Sequence, residues 1–436
     1  MRPESTGIVH FGLGAFSRAH QVVYTEDAML ATGDRSWGVL GVSNRMRGVL
    51  EPQDYRYTVL ERGEGAAAPR MVGALSGVVR GEDVPELLAR PQIRVVTLTV
   101  TEKGYRHDPA TGKLDLGDPE ITGDLTGKQS KTVVGQLVHG LRRRVGGPPL
   151  TVVCCDNLPG NGEFLRGLVE SFCHAAGLGA LADWIGDNVT FPSTMVDRIT
   201  PATTEDDLRE AERELGYRDE ALVVTEPFRQ WVIEDSFAGD RPAWERAGAV
   251  FTADVEPWER LKLRVLNASH SLLAYFGLLL GHATIAEAVG DPVLRDACSG
   301  MITDDVLPVL DAPTDAVEYG RTTLARFANP ALRHTTKQVA SDGSQKLGPR
   351  LLGTATDLRT RGREPRWIPY VVAAWLRHVE TTEDLRDPLA EELRTDPLRR
   401  VLPDDPDFRG QVLAAHRQLV HEDPRAVLKE VLDGRA

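Results

Sequence analysis

The chain has 436 residues, 41% of them hydrophobic and 26% charged, with a formal net charge of −13. That length exceeds one ordinary core and predicts two domains, while the negative balance excludes a nucleic-acid binder, which needs a basic face. It does not exclude an anionic small substrate, for which a local cluster of Arg or Lys suffices. The cysteines Cys154, Cys155, Cys173 and Cys298 are too few and too poorly spaced for a disulfide framework, and no His/Cys spacing suits zinc. Reduced thiols, no metal and a cytoplasmic protein are therefore expected. The N-terminus runs directly into a strand-like segment, so no signal peptide is expected. No apolar run approaches about 18 residues, so no membrane span is expected either.

Thr6-Gly7-Ile8-Val9-His10-Phe11 reads as a short buried strand that runs into Gly12-Leu13-Gly14-Ala15-Phe16-Ser17, with a helical pattern continuing to about Ala31. Strand, glycine turn and helix suggest a dinucleotide-binding unit in which Gly12, Gly14, Ala15 and Phe16 approach a pyrophosphate at a helix N-terminus. Ser17 stands where a third glycine is usual, and any tight β–α turn can carry a GxG. Trp37 to Val42 reads as the second strand. An acidic residue near its end often bonds the ribose of NAD, but here Asn44 and Arg45 follow and the first acid is Glu51. NAD and NADP both stay open, and Arg45 reads equally as a surface cation. Tyr57–Glu61 and Met71–Val79 look like strands of an antiparallel insertion.

Arg94 to Thr99 reads as a buried strand that delivers Glu102 and Lys103 to its carboxyl end, where ligands of open α/β sheets sit. Leu150 to Cys155 is another, followed by Asp156-Asn157 and a helix from about Glu163. Asn157 suits an alcohol or carbonyl oxygen, or caps the next helix in an Asx turn. Asp197-Arg198 lies between apolar residues, as a structural salt bridge or a substrate-shaping pair. Thr204 is placed to cap a charged helix to Leu215. Glu226 to Asp235 mixes aromatic and charged residues, with Arg229 able to fork onto a carboxylate.

Lys262-Leu263-Arg264-Val265-Leu266-Asn267-Ala268-Ser269-His270 packs a lysine, an asparagine and a histidine at the start of an apolar run. Such a setting can depress a lysine pKa and make it a usable base; the same residues also read as a surface lysine, a helix-start asparagine and a half-buried histidine. On α-helical spacing Asn267 and His270 share a face, but Lys262 and Asn267 lie roughly 140° apart. Beyond it the pattern is helical: Ile285–Val289, Val293–Val309, Thr314–Ala328, Tyr370–Glu380, Gly410–Leu419 and Arg425–Leu432. A polar loop, Ser341 to Arg350, is expected between them. The domains are expected at 1–258, an α/β Rossmann-like NAD(P)-binding unit with insertions, and 259–436, a mostly α-helical unit.

Together these segments resemble the mannitol dehydrogenase family of polyol-specific long-chain dehydrogenases over nearly the whole chain. The resemblance rests on Ile8 to Phe16, Arg18-Ala19-His20-Gln21, Thr101-Glu102-Lys103-Gly104-Tyr105, Cys155-Asp156-Asn157, Met195 to Ile199 and the Lys262–His270 stretch, in shared order. It implies an N-terminal Rossmann-like domain, a helical C-terminal domain, an active site between them, and metal-independent hydride transfer at a secondary alcohol with NAD, or NADP. It implies that Lys262 is the general base, that Asn157 and Asn267 hold the reacting oxygen, and that His270 orients the substrate. Glu102 matches a glutamate near the proton exit route, Asp197 a site-lining acid and Lys346 a second lysine.

The sequence looks closer to the mannonate oxidoreductase (fructuronate reductase) branch than to the mannitol and arabinitol 2-dehydrogenase branch, through Glu226–Asp235 and Asp342–Lys346. Arg229 stands where some mannitol dehydrogenases carry histidine, and Gln338 where they carry an arginine eight residues before the second lysine. Ser17 departs from the histidine common in the N-terminal motif. The expected partner is a sugar acid, with a neutral polyol as the alternative and a non-catalytic dinucleotide sensor as a third reading. The resemblance leans toward a monomer.

Overall fold

The computed structural model describes residues 1–64, 68–108 and 111–434. They form two compact units, Met1–Glu256 and Pro257–Ala436. The first is built on a six-stranded parallel sheet of β1 (Thr6–Phe11), β2 (Gly38–Val42), β5 (Leu75–Val79), β6 (Val95–Leu98), β7 (Leu150–Cys154) and β8 (Val189–Thr190). Their order, β5-β2-β1-β6-β7-β8, is that of a doubly wound Rossmann sheet, with the direction of winding reversing between β1 and β6.

The strands are near-continuous apolar runs because both faces are covered. Ile8, Val39, Val95 and Val153 point to one side, with Val22, Val23 and Met29 of α2 (Gln21–Thr32) and Met46 and Leu50 of α3 (Asn44–Leu50). Val9, Phe11, Val96, Leu98, Val152 and Cys154 point to the other, against Val134, Leu137 and Leu141 of one helix and Leu165, Val169 and Phe172 of another. Two small sheets flank this core. β3 (Tyr57–Glu61) pairs with β4 (Arg70–Val72) and β10 (Val223–Thr225), and β11 (Gln230–Glu234) pairs with β9 (Thr194–Asp197) and β12 (Val250–Thr252).

Two expectations about the first unit change. The helix from Ala15 breaks after α1 (Ala15–Ala19), where His20 takes φ −119°, ψ −87° and bonds Gln230 O at 2.9 Å through Nε2. The stretch Met71–Val79 is two strands. β4 is antiparallel to β3, whereas β5 joins the main sheet in parallel beside β2. The break falls at Gly73, whose N–H donates to the buried Glu26 Oε1 at 2.7 Å and where a Cβ would meet Met1 O at 2.8 Å. Beside these elements, Arg198 pairs with Glu61, at 2.6 Å, and donates to Glu226 O and Ala19 O.

The second unit is helical and surrounds Ala268–Leu279, in which every residue from Ala268 to Gly277 is buried. Thr284, Thr335 and Asp291 cap three of its helices with their own side chains. The expected single helix Val293–Val309 is instead an α-helix to Met301, a π-helical turn Ile302–Val306 and a 3₁₀ turn Leu307–Val309. Pro308 has no N–H to continue the ladder, and Asp305 accepts from the N–H groups of Arg366, Trp367 and Ile368 at 2.7–2.9 Å. No helix among the described residues is long and apolar enough to cross a membrane. All four cysteines are free and buried.

Candidate active site

In the first unit the carboxyl ends of β1 and β6 converge on one turn. Gly12 takes φ +82°, and a Cβ there would lie 2.1 Å from Thr99 O, so only glycine lets β1 end against β6. Gly14 N–H closes the turn onto Gly12 O at 2.7 Å, and Ala15 and Phe16 open α1 directly after it. Ser17 is fully buried and turns its hydroxyl back onto Gly12 O and Gly14 O, at 3.2 and 3.3 Å, so the missing third glycine is replaced by a side chain that ties the turn. His10 fixes the same corner: its Nδ1 is 2.7 Å from Thr97 Oγ1 and its Nε2 3.0 Å from Thr99 Oγ1. Burial pushes this imidazole down to about 4, so it is neutral near pH 7. Asn44 and Arg45 are exposed at the carboxyl end of β2, where Ser43 caps α3.

Asn157 is exposed just beyond the end of β7, beside the buried Asp156. The helix that follows, Asn161–Ala175, has Gly160 at its N-cap position. The structural amide is Asn161, which bonds Asp156 O and Thr194 O, both at 2.9 Å. Glu102 opens a short 3₁₀ turn, Glu102–Tyr105, with its carboxylate 3.5 Å from His107 Nε2. Asp197 is buried at the end of β9, opposite Gln230. Arg229 is ion-paired within its unit: Nη2 is 2.7 Å from Asp27 Oδ2, and the guanidinium lies 4.5 Å from the centre of the Tyr24 ring.

In the second unit the lysine–asparagine–histidine stretch is not α-helical at its start. Lys262–Asn267 is a π-helical turn, and the Ala268 N–H reaches back five residues to Leu263 O. In such a turn residue i+5 is the neighbour one turn on, which brings Lys262 and Asn267 toward the same face and removes the 140° separation expected of an α-helix. Lys262, Asn267 and His270 are only 8%, 7% and 8% exposed. Two further π-helical turns, Ile302–Val306 and Gly348–Leu352, pack on this one.

His270 is stacked on Phe327, with ring centres 4.0 Å apart, and meets His334 edge-on at 5.0 Å. Burial, followed by the fields of His334, Arg350, Arg326 and Lys346, holds its imidazole well below the usual histidine range, so it is neutral. Its Nε2 has no hydrogen-bond partner among the described residues. Lys346 donates to Ser341 O at 2.6 Å and lies 3.8 Å from Asp342 Oδ2, and burial lowers its pKa.

The segment Ser341–Arg350, expected as a loop, carries the helix Gly343–Leu347 and then enters the π turn that bears Pro349. Arg350 on that turn donates to Asn267 O at 3.3 Å and Ser271 Oγ at 3.1 Å, and burial brings its pKa down to about 10. Gln338 folds back as part of a capping box, its Oε1 receiving Thr335 Oγ1 at 3.0 Å. Arg350, His334, Phe327 and Asp156 are residues the sequence reading did not single out. Arg350 lies in the stretch that the sequence presents as a polar loop, and no local signal marks its π turn.

A glycine turn that admits no Cβ at Gly12, at the switch point of a parallel sheet, fits a dinucleotide pyrophosphate, which Gly12, Gly14, Ala15 and Phe16 would approach. The class so defined is a Rossmann-sheet oxidoreductase with a helical second unit that carries a buried lysine. The chain belongs to the mannitol dehydrogenase family: residues 6–246 match the mannitol dehydrogenase Rossmann domain and residues 254–417 the mannitol dehydrogenase C-terminal domain. It is 40% identical to the D-mannonate oxidoreductase of Escherichia coli (strain K12), covering 96% of this chain and 94% of that one. It is 44% identical to an uncharacterized oxidoreductase of the same organism, YdfI, covering 88% and 81%. The solved Pseudomonas fluorescens mannitol 2-dehydrogenase, a ternary complex with NAD and D-mannitol, superposes with a TM-score of 0.86 at 34% identity, covering 98% of this chain and 94% of that one.

Proposed function

We propose that the protein interconverts D-mannonate and D-fructuronate, oxidising a secondary alcohol of a sugar acid with NAD, and that Lys262 handles the hydroxyl proton. The bound dinucleotide supplies the hydride acceptor, and the exposed Asn44 and Arg45 contact its ribose end. Lys262 takes the hydroxyl proton as the C–H bond breaks and returns it in the reductive direction. The side-chain amides of Asn157 and Asn267 donate to the oxygen that gains negative charge. His270 is neutral, so it orients a hydroxyl without adding charge. Glu102 stands on the proton's route to solvent, and Asp197, Arg229 and Lys346 bind the remainder of the sugar.

The observation that carries the sugar-acid reading is the field around His270. Arg350, Arg326 and Lys346 all act on it, and Gln338, which replaces a polyol-binding arginine, is engaged as a helix cap. A carboxylate is the ligand such a field favours. The neutral-polyol reading is favoured by the likeness to the mannitol 2-dehydrogenase bound to D-mannitol. Steady-state reduction of NAD, and then NADP, with matched D-mannonate, D-mannitol and D-arabinitol decides between them. Turnover on mannonate alone is expected. Turnover on a polyol and not on mannonate would overturn the sugar-acid reading. Arg229→Ala should weaken mannonate far more than a polyol, and equal losses would leave Arg229 only its structural role with Asp27 and Tyr24.

Arg350→Met should lower kcat about 10- to 100-fold with NADH affinity near normal, because two charge-assisted hydrogen bonds at the π-to-α junction are lost. Stopped-flow single turnovers and NADH fluorescence titration check this pair of values.

A further inference from the structure

Beyond the proposed chemistry, one backbone feature of the first unit is unexplained by local sequence. Thr101 sits at φ +65°, ψ +160°, a region that a β-branched residue almost never enters. It directly precedes Glu102. Five residues later Arg106 is left-handed, at φ +53°, ψ +48°. Such a conformation persists only where neighbouring groups over-determine it.

Those neighbours converge on one side chain. The Asp156 carboxylate accepts from Thr101 N at 2.8 Å through Oδ1, and from Val100 N at 3.0 Å and Tyr105 Oη at 2.6 Å through Oδ2. It is 7% exposed, so these bonds are shielded from water. Tyr105 is itself fully buried, edge-on to Phe164 with ring centres 5.6 Å apart. One carboxylate therefore holds both ends of the segment that carries Glu102, and Asp156 is the residue immediately before Asn157.

We propose that Asp156 is a positioning residue: it clamps residues 100–105 in a conformation their own sequence disfavours and so fixes Glu102 relative to Asn157. The role rests on the reading of Glu102 and Asn157 as site residues, although the clamp itself does not. Asp156 touches no substrate and acts through these two groups.

The test is a double-mutant cycle of Asp156→Ala with Thr101→Gly, which removes the strain that the clamp opposes. Asp156→Ala should lower kcat about 100-fold, the scale of an ångström-sized misplacement, with KM and NADH affinity within a few-fold of wild type. Thr101→Gly alone should change kcat little. The double mutant should regain about tenfold over Asp156→Ala, because glycine takes the conformation without help. A double mutant whose kcat is the product of the two single effects, or an Asp156→Ala protein that turns over normally, would overturn the proposal.

If Asp156→Ala does not fold, Asp156→Asn, which keeps one acceptor oxygen, takes its place in the cycle. Urea unfolding of the same four proteins reads the clamp without substrate: Thr101→Gly should be less costly in the Asp156 variant than in the wild type. That coupling in a protein that oxidises none of the sugars would uphold the clamp and discard the catalytic reading, whereas additivity in both measurements would discard the clamp.

Discussion

Lys262→Ala is expected to lower turnover by about 10²- to 10⁴-fold, the range for loss of a positioned general base. NADH affinity should stay near wild type, because the glycine turn and the exposed Asn44–Arg45 end of β2 belong to the first unit. The effect should be large for a geometric reason. Lys262 is buried at the start of a π-helical turn, and that turn brings it toward the face of Asn267. A lysine restored one position away, in Lys262→Ala/Leu263→Lys, should not rescue, since it leaves that face. Single-turnover absorbance at the nicotinamide band, with NADH fluorescence titration as the control, separates lost chemistry from lost binding. Near-normal turnover by Lys262→Ala would remove it as the base.

Gly12→Ala is expected to be the most damaging single methyl group in the first unit. The added Cβ meets Thr99 O at 2.1 Å and Thr99 C at 2.7 Å, both backbone atoms of the chain running out of β6, and the position already needs φ +82°. Left-handed strain of about 1–2 kcal/mol and overpacking of about 1–3 kcal/mol add at the same atom. A drop of several degrees in thermal midpoint is expected, together with NADH affinity lowered by at least about a hundredfold, since the turn that approaches the pyrophosphate is displaced. Gly14→Ala is the control. Its Cβ finds only Gly12 O, at 3.8 Å, so the protein should fold normally, and any loss of NADH affinity then reports crowding of the ligand. Wild-type stability and affinity in Gly12→Ala would contradict the placement of the cofactor turn.

The parallel sheet was legible because its strands are buried on both faces and read as short apolar runs ending in turn residues, as in Leu150–Cys154. The glycine turn was legible for the same local reason. The strand Met71–Val79 was misread as one element because its break depends on Glu26, a residue far away in sequence that captures the Gly73 N–H. Asn161 carries no signal in the sequence, because its bonds to Asp156 O and Thr194 O depend on the helix starting beyond Gly160 and on a strand more than thirty residues away.

The central stretch shows the limit most plainly. Its residues were identifiable, but their geometry was taken from an α-helix, whereas Lys262–Asn267 is a π turn packed against Ile302–Val306 and Gly348–Leu352, neighbours distant in sequence. Arg350, which holds the Asn267 carbonyl, lay in a segment that read as a polar loop. Arg229 was visible as a cation, but its pairing with Asp27 required the fold. Long-range partners of charged groups are what the sequence withheld.

The central claim, that a lysine on this π turn moves the proton, is tested most directly by the pH dependence of kcat/KM for alcohol oxidation, in wild type and Lys262→Ala. The expected result is a wild-type rate that rises with pH along one limb as the lysine becomes neutral, and a variant in which that limb is absent. His270 should contribute no limb of its own near neutrality, since burial keeps its imidazole uncharged. The same limb, unshifted, in Lys262→Ala would contradict the claim and assign the proton to another group.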